Sequence, residues 1–353
     1  MAYRVLQLGT GFVGMQALRG IIDHPELELV GLVVHSDDKV GKDAGELCGR
    51  DPVGVVASGD FDAALAIPAD VCCYEARSFG RLRATIDQFC QILDSGKNIV
   101  STSVGAFIHP ATARPDVRAR VEEACRRGGT TCFVTGIEPG FFSDYLPVVL
   151  SGCFRRIDEI RIYELATYAS GGNSDQVAFD IFAFGKPMDV VPPMVTRSAL
   201  VETWGGVIVM IAEQVGIHID DIATSYELHP ANEGFDFQGA HIDAGTIAAV
   251  RFEIVGIVDG KSKVAVEHVT RTRHDVAPQW ARPLGGDAYR VVISGSPRLQ
   301  CEFQFDEGGD GMAGGYNITA MRVVNAIPAV CAARPGLVST FDLPMITGRH
   351  RMS

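Results

Sequence analysis

The first residues able to do chemistry stand near the start of the chain: Gly9-Thr10-Gly11-Phe12-Val13-Gly14, a G-x-G-x-x-G run. An apolar segment, Tyr3 to Leu8, precedes it, and a helical pattern, Val13 to Asp23, follows. That context gives the glycines their meaning. Gly9 permits a tight turn, Gly11 removes the Cβ that would block a pyrophosphate, and Gly14 lets the helix approach the sheet. Thr10, Phe12 and Val13 complete the turn. The helix N-terminus then offers free N–H groups and the positive end of its dipole to phosphates. A dinucleotide suits this arrangement. The next apolar strand, Leu27 to Val34, ends in His35 and Ser36, with Lys39 close behind and no carboxylate at the terminus itself. A neutral-to-basic end favours a 2′-phosphate, so NADP(H) is the expected cofactor. Asp37 lies near enough to hold a ribose hydroxyl, which leaves NAD(H) open.

Glu138 is the most suggestive acid. It sits among Gly136, Pro139, Gly140, Phe141 and Phe142, just past an apolar strand. A carboxyl in such surroundings is held toward its protonated form and can serve as acid or base near neutral pH. The competing role is a carboxylate capping a helix over Pro139 to Val149. Tyr163, Glu164 and Tyr168 are further candidates on the substrate side, ahead of a Ser170-Gly171-Gly172-Asn173 loop. His109 is a candidate proton donor, against the commoner structural role of a lone histidine. No spacing suggests a metal site, and no G-x-S-x-G elbow is present.

These residues need elements to hold them. Strand and helix patterns alternate up to Val134: strands at Ala69–Tyr74, Ile99–Thr102 and Thr130–Val134, helices at Gly80–Ser95 and Asp116–Arg127. Such alternation implies a doubly wound parallel sheet, an α/β Rossmann domain. Ligands then bind beyond the carboxyl ends of the strands, where Ala76, Thr102 and Ser103 are expected to flank the cofactor. Past Asp144 the pattern changes. Ile157–Leu165 alternates, a helix fits Ser198–Val215, and long strands follow at Thr246–Val258, Lys261–Thr272, Ala288–Ser294 and Leu299–Phe305. Asp259-Gly260 marks a hairpin. This is an α+β domain with a mainly antiparallel sheet. From Gly314-Gly315 a last helix, Ile318–Ala333, with Asn317 just before it, carries Thr319 and Asn325 and should break at Pro328. The expected domains are 1–145 with 314–353, which binds the dinucleotide, and 146–313, for substrate and dimerisation.

The 353 residues carry 43 acidic against 31 basic side chains, a net charge of −12, which argues against nucleic acid or anionic lipid as partner. A small-molecule partner fits better. No stretch is apolar for long enough to span a bilayer, and the chain opens straight into a strand with no secretory h-region. Nine cysteines, an odd number without C-x-x-C, read as reduced thiols, so the expected compartment is the cytoplasm. Long strands with one apolar face need covering, which suggests a homodimer through the antiparallel sheet.

The glycine turn, the run His35-Ser36 to Lys39-Val40-Gly41-Lys42-Asp43-Ala44-Gly45-Glu46, and Gly136 to Phe141 together resemble the dihydrodipicolinate reductase-like family. The branch they are most similar to is that of 2,4-diaminopentanoate dehydrogenase and the native amine dehydrogenases. Val324-Asn325-Ala326-Ile327-Pro328 and Asp342-Leu343-Pro344 resemble the same branch. The resemblance implies NAD(P)-dependent reductive amination or its reverse, and a C-terminal helix that returns to the cofactor, where Asn325 would bind. It also implies a catalytic glutamate in a Glu-x-x-x-x-Pro segment. The matching stretch here, Val104-Gly105-Ala106-Phe107-Ile108-His109-Pro110, has no acid, while Glu138 stands where the family more often has asparagine. Either the acid has moved across the pocket, or amine chemistry is lost. The alternatives to amine chemistry are a carbonyl or cyclic-imine reductase and a non-catalytic NADP(H)-binding sensor.

Overall fold

The computed structural model describes residues 2–170 and 175–352; of the expected glycine-rich loop, Gly171 to Asn173 lie outside the described residues. Two compact units divide the chain: Met1–Ile137 with Tyr316–Ser353, and Glu138–Gly315.

The first unit is built on a parallel sheet of β1 (Tyr3–Leu8), β2 (Leu27–Val33), β3 (Ala57–Ser58), β4 (Val71–Tyr74), β5 (Asn98–Ser101), β6 (Thr131–Val134) and a last strand, Gly336–Val338. In space these run last strand, β6, β5, β4, β1, β2, β3. The winding therefore reverses at β1, between β4 and β2, and a doubly wound sheet opens its binding crevice there. Leu8 pairs with Val33 on one side and Tyr74 on the other, so these three strands end level. Their continuous apolar stretches are buried on both faces, as parallel strands require. Helix α1 (Phe12–Ile22) buries Ala17 and Ile21 against Val5, Val71 and Phe133. The same core takes in Ala320, Val323, Val324, Ile327 and Val330 from the C-terminal segment. That segment forms two helices, Gly311–Val324 and Ile327–Ala332. The break falls at Asn325-Ala326 rather than at Pro328, because a proline fits the first turn of a new helix, where its missing N–H costs nothing.

The second unit carries β7 (Arg156–Thr167), β8 (Asp221–Pro230), a small hairpin of β9 (Phe235–Phe237) and β10 (Ala240–Ile242), β11 (Ile247–Val258), β12 (Lys261–Arg271), β13 (Ala288–Ser296) and β14 (Leu299–Gln304). Six of them form one sheet in the order β14, β13, β7, β12, β11, β8, antiparallel except for β7 beside β12. Asp259 and Gly260, at φ +50° and +70°, make the β11–β12 hairpin turn, whose two left-handed positions match strand twist. A continuous helical segment, residues 197–214, packs over β11 and β12, with a wider π-turn at Val201–Gly205. No helix begins at Pro139. The next helix after β6 is Tyr145–Ser151, with Asp144 at its N-cap, so capping is not the role of Glu138.

Candidate active site

The glycine turn lies where β1 meets α1, beside the end of β4. Gly9 takes φ +92°, and a Cβ there would stand 2.7 Å from the Glu75 carbonyl. A Cβ on Gly14 would stand 2.5 Å from the Gly9 carbonyl oxygen, so Gly14 lets α1 seat against its own loop. Gly11 differs. A Cβ there would meet nothing within 4 Å, and its φ of −71° suits any residue. Nothing in the protein demands glycine at 11, which is what a surface reserved for a close-fitting ligand looks like. Gly11 is also the N-cap of α1, and no side chain caps the helix, so its leading N–H groups are free to meet phosphate oxygens. The residues fit a dinucleotide.

Gln7, buried in β1, donates from Nε2 to the Gly9 and Gly14 carbonyls at 3.0 and 2.6 Å and braces the turn from below. A lone amide within an apolar strand was the available signal for it. Lys39 reaches back across the loop, with Nζ 2.9 Å from the Thr10 carbonyl and 3.2 Å from its hydroxyl. His35 and Ser36 are exposed past the end of β2. Asp37 begins a short 3-10 turn, Asp37–Lys39. Phe12 is half exposed and stacks on Tyr316 at 5.2 Å, whereas Val13 packs into the core.

Ala76, Thr102 and Ser103 come together at the ends of β4 and β5. The Ser103 hydroxyl donates to the Ala76 carbonyl at 2.5 Å, and Thr102 donates to Glu75 Oε2 at 2.5 Å. Glu75, enclosed under the turn, has its carboxyl pushed up to about 8 by burial, against the pull of the Thr102 bond. The structure does not bring Asn325 to this group. Its Oδ1 accepts from Arg351 Nε at 3.3 Å, and Arg351 in turn donates to the Gly20 carbonyl at 3.0 Å. Gly20 lies about 13 Å along α1 from Gly11 at 1.5 Å rise per residue. Tyr316, on the preceding helix, holds the place beside the turn instead, and no pattern in the sequence distinguished it. His109 is buried after β5, with Nδ1 3.2 Å from Thr112 of its own turn.

The second unit gathers a different set. Across its sheet, register aligns Phe303, Tyr289, Glu164, His268 and Phe252 in one row on β14, β13, β7, β12 and β11. His268 Nε2 lies 3.0 Å from Glu164 Oε1, its Nδ1 meets Thr270 at 3.0 Å, and its ring stacks on Phe252 at 4.7 Å. Tyr289 donates to Glu164 from the other side and stacks on Phe142 at 4.8 Å. Glu138 joins this group: Trp204 Nε1, from the π-turn, donates to its Oε2 at 2.7 Å. Its Oε1 is buried without a hydrogen-bond partner. Burial first, and the Glu164 charge second, push its carboxyl well above the usual range. Tyr163, next to Glu164 in the strand, faces the opposite side under Arg290. Tyr168 is buried edge-on to Phe182 and Phe184 at 5.9 and 6.3 Å.

Comparison with known proteins fits this geometry. Residues 141–351 match the family model of the 2,4-diaminopentanoate dehydrogenase C-terminal domain. An amine dehydrogenase of Streptomyces virginiae is 36% identical over 96% of this chain and 95% of its own. The chain belongs to the 2,4-diaminopentanoate dehydrogenase family. The namesake enzyme of Acetoanaerobium sticklandii is 23% identical over 97% of this chain and 93% of its own. The solved amine dehydrogenase of Mycobacterium smegmatis shares the fold at a TM-score of 0.80, with 21% identity, covering 99% of this chain and 98% of that one. As a member of the 2,4-diaminopentanoate dehydrogenase family, this chain is an NAD(P)-dependent oxidoreductase, and the glycine turn is the element suited to its nicotinamide cofactor.

Proposed function

We propose that the enzyme interconverts a small primary amine and the corresponding carbonyl compound, with Glu138 as the acid–base residue. The observation that carries this reading is the Glu138 carboxyl, with one oxygen on Trp204 and the other buried beside Glu164 with no donor in hydrogen-bond geometry. In the aminating direction the protonated carboxyl gives its proton to the hydroxyl of a carbinolamine. Water leaves, the nitrogen lone pair closes the C=N bond, and the resulting carboxylate faces the iminium cation. When bound, a reduced nicotinamide would supply the hydride that completes the amine. Solvent then returns a proton to Glu138, and deamination runs the same steps backwards.

NADP(H) is the proposed cofactor. His35 and Ser36, exposed past β2, and the Lys39 ammonium over Thr10 support it, because they offer donors and positive charge to a 2′-phosphate. Tyr168 and His109 are assigned lesser parts, the first as an aromatic wall and the second as a fixed turn residue. A homodimer through the six-stranded sheet and a cytoplasmic setting complete the reading.

The test is a panel of small ketones and aldehydes with NADPH and NADH, each with and without ammonia. Turnover that requires ammonia, runs better with NADPH and drops at least a hundredfold in Glu138→Gln is expected. Reduction without ammonia would mark a carbonyl reductase, and tight nucleotide binding with no turnover a sensor; either overturns the amine reading.

A further inference from the structure

Two carboxyls lie side by side in the second unit, Glu138 within hydrogen-bonding reach of Glu164, and their surroundings are unequal. Glu164 has two donors, the Tyr289 hydroxyl and the His268 Nε2 at 3.0 Å. Glu138 has only neutral donors, the Trp204 indole and the Ser143 hydroxyl, and its buried Oε1 meets no donor in hydrogen-bond geometry. Adjacent carboxyls shielded from water do not readily both ionise, and the proton settles on the one that faces neutral donors rather than the one that faces an imidazole able to carry charge. His268 is itself fixed. Phe252 stacks on it, Phe182 and Trp204 lie 6.0 Å away, and Thr270 engages Nδ1, which directs Nε2–H toward Glu164. The register of β12 on β7 and of β13 on β7 places His268 and Tyr289 opposite Glu164 on either side.

We propose that Glu164 and His268 are a positioning pair for the reaction: His268 anchors the Glu164 carboxylate, and that carboxylate holds the transferable proton on Glu138. The inference rests on Glu138 being the acid. The other titratable groups around the pair are Tyr289, acted on by Glu164, Glu138 and Tyr168, and Asp287, whose carboxyl is pushed up to about 6 by burial and by Glu164 against the pull of the Thr167 N–H and of His274. His268 is the one residue of the cross-sheet row able to carry positive charge. Removing the Glu164 charge should therefore let Glu138 lose its proton at lower pH.

The experiment is the pH profile of kcat and of KM for ammonia-dependent reduction in the wild type, Glu164→Gln, Glu164→Asp and His268→Phe, with the Glu138 carboxyl followed directly by infrared difference spectroscopy. In Glu164→Gln the alkaline limb of kcat is expected to move down by at least one pH unit. Activity at pH 9 should then fall tenfold or more while that at pH 6 is largely kept, and KM for the nucleotide should not change. His268→Phe, which frees the Glu164 side chain, should shift the limb in the same direction by less. The protonated-carboxyl band should fade at lower pH in both variants. Glu164→Asp keeps the charge and should restore most of the wild-type limb; if Glu164→Gln does not fold, Glu164→Asp and His268→Phe decide. An unmoved limb and band in the variants, with Glu138→Gln inactive, overturns this inference and leaves the acid assignment standing. An active Glu138→Gln overturns the acid assignment itself.

Discussion

At the scale of single residues, burial holds the carboxyls of Glu75, Glu138 and Asp287 toward their neutral forms. Glu75 lends itself to a clean measurement, because its partners Thr102 and Cys73 can accept a glutamine in its place. The folded carboxyl titrates near 8 and an exposed one near 4.5. Between those values the unfolded chain gives up its proton while the folded one keeps it, so this group makes stability fall as pH rises from about 4.5 to about 8. The slope is at most about 1.4 kcal/mol per pH unit for one group. Glu75→Gln should remove that slope. Urea midpoints of variant and wild type should nearly coincide at pH 5, with the variant clearly ahead at pH 9. Parallel curves across that range would mean that Glu75 is not buried as a neutral acid. Ala76 was legible as part of the binding edge; the burial of Glu75 just before it was not, because that depends on Gly9 and Gly14 closing over it.

At the scale of elements, the glycine turn separates two demands that one motif hides. Gly14 is needed by the protein, since its Cβ would collide with the Gly9 carbonyl at 2.5 Å. Gly11 is not needed by the protein itself, since a side chain there would meet nothing within 4 Å, and the proposed dinucleotide is what would require it. Gly11→Ala should therefore leave the unfolding midpoint unchanged or raised by the lost freedom of the unfolded chain, about 0.4–1 kcal/mol. Its nucleotide affinity should weaken at least tenfold, about 1.4 kcal/mol. Gly14→Ala should lose both stability and affinity. Nucleotide fluorescence titration beside urea unfolding checks the pair, and unaltered affinity in Gly11→Ala would remove the dinucleotide from this turn. The context of that turn was readable because strand, glycines and helix are contiguous. The strand Asp221–Pro230 was not: it is a sheet edge with Asp221, Thr224, Ser225, Glu227 and Pro230 on it, a polar composition that reads as loop. Nor was the Tyr289–Glu164–His268 row, since it is assembled by register between strands far apart in the chain. A pairing of that kind leaves no local periodicity to find.

At the scale of the whole molecule, the first unit is discontinuous: Tyr316–Ser353 completes what Met1–Ile137 begins. The contribution is a core rather than a covering. Val323, Val324, Ile327 and Val330 are fully buried, packed in one cluster with Val5, Ile21, Val71, Val100 and Phe133, and Gly336–Val338 closes the sheet beside β6. Burial of a Val or Ile side chain is worth about 1.5–3 kcal/mol. Four of them together are comparable with the ~5–15 kcal/mol that stabilises an entire domain. A chain ending at Gly315 should therefore lose the cooperative unfolding of the nucleotide unit and bind no dinucleotide, even though every residue of the glycine turn remains. Supplying the missing segment as a separate peptide should restore part of both. Calorimetry and nucleotide titration on the full and shortened chains decide it. A shortened chain that keeps wild-type affinity would show that the first 137 residues hold the sheet by themselves, and that the returning helices serve something other than the core they fill.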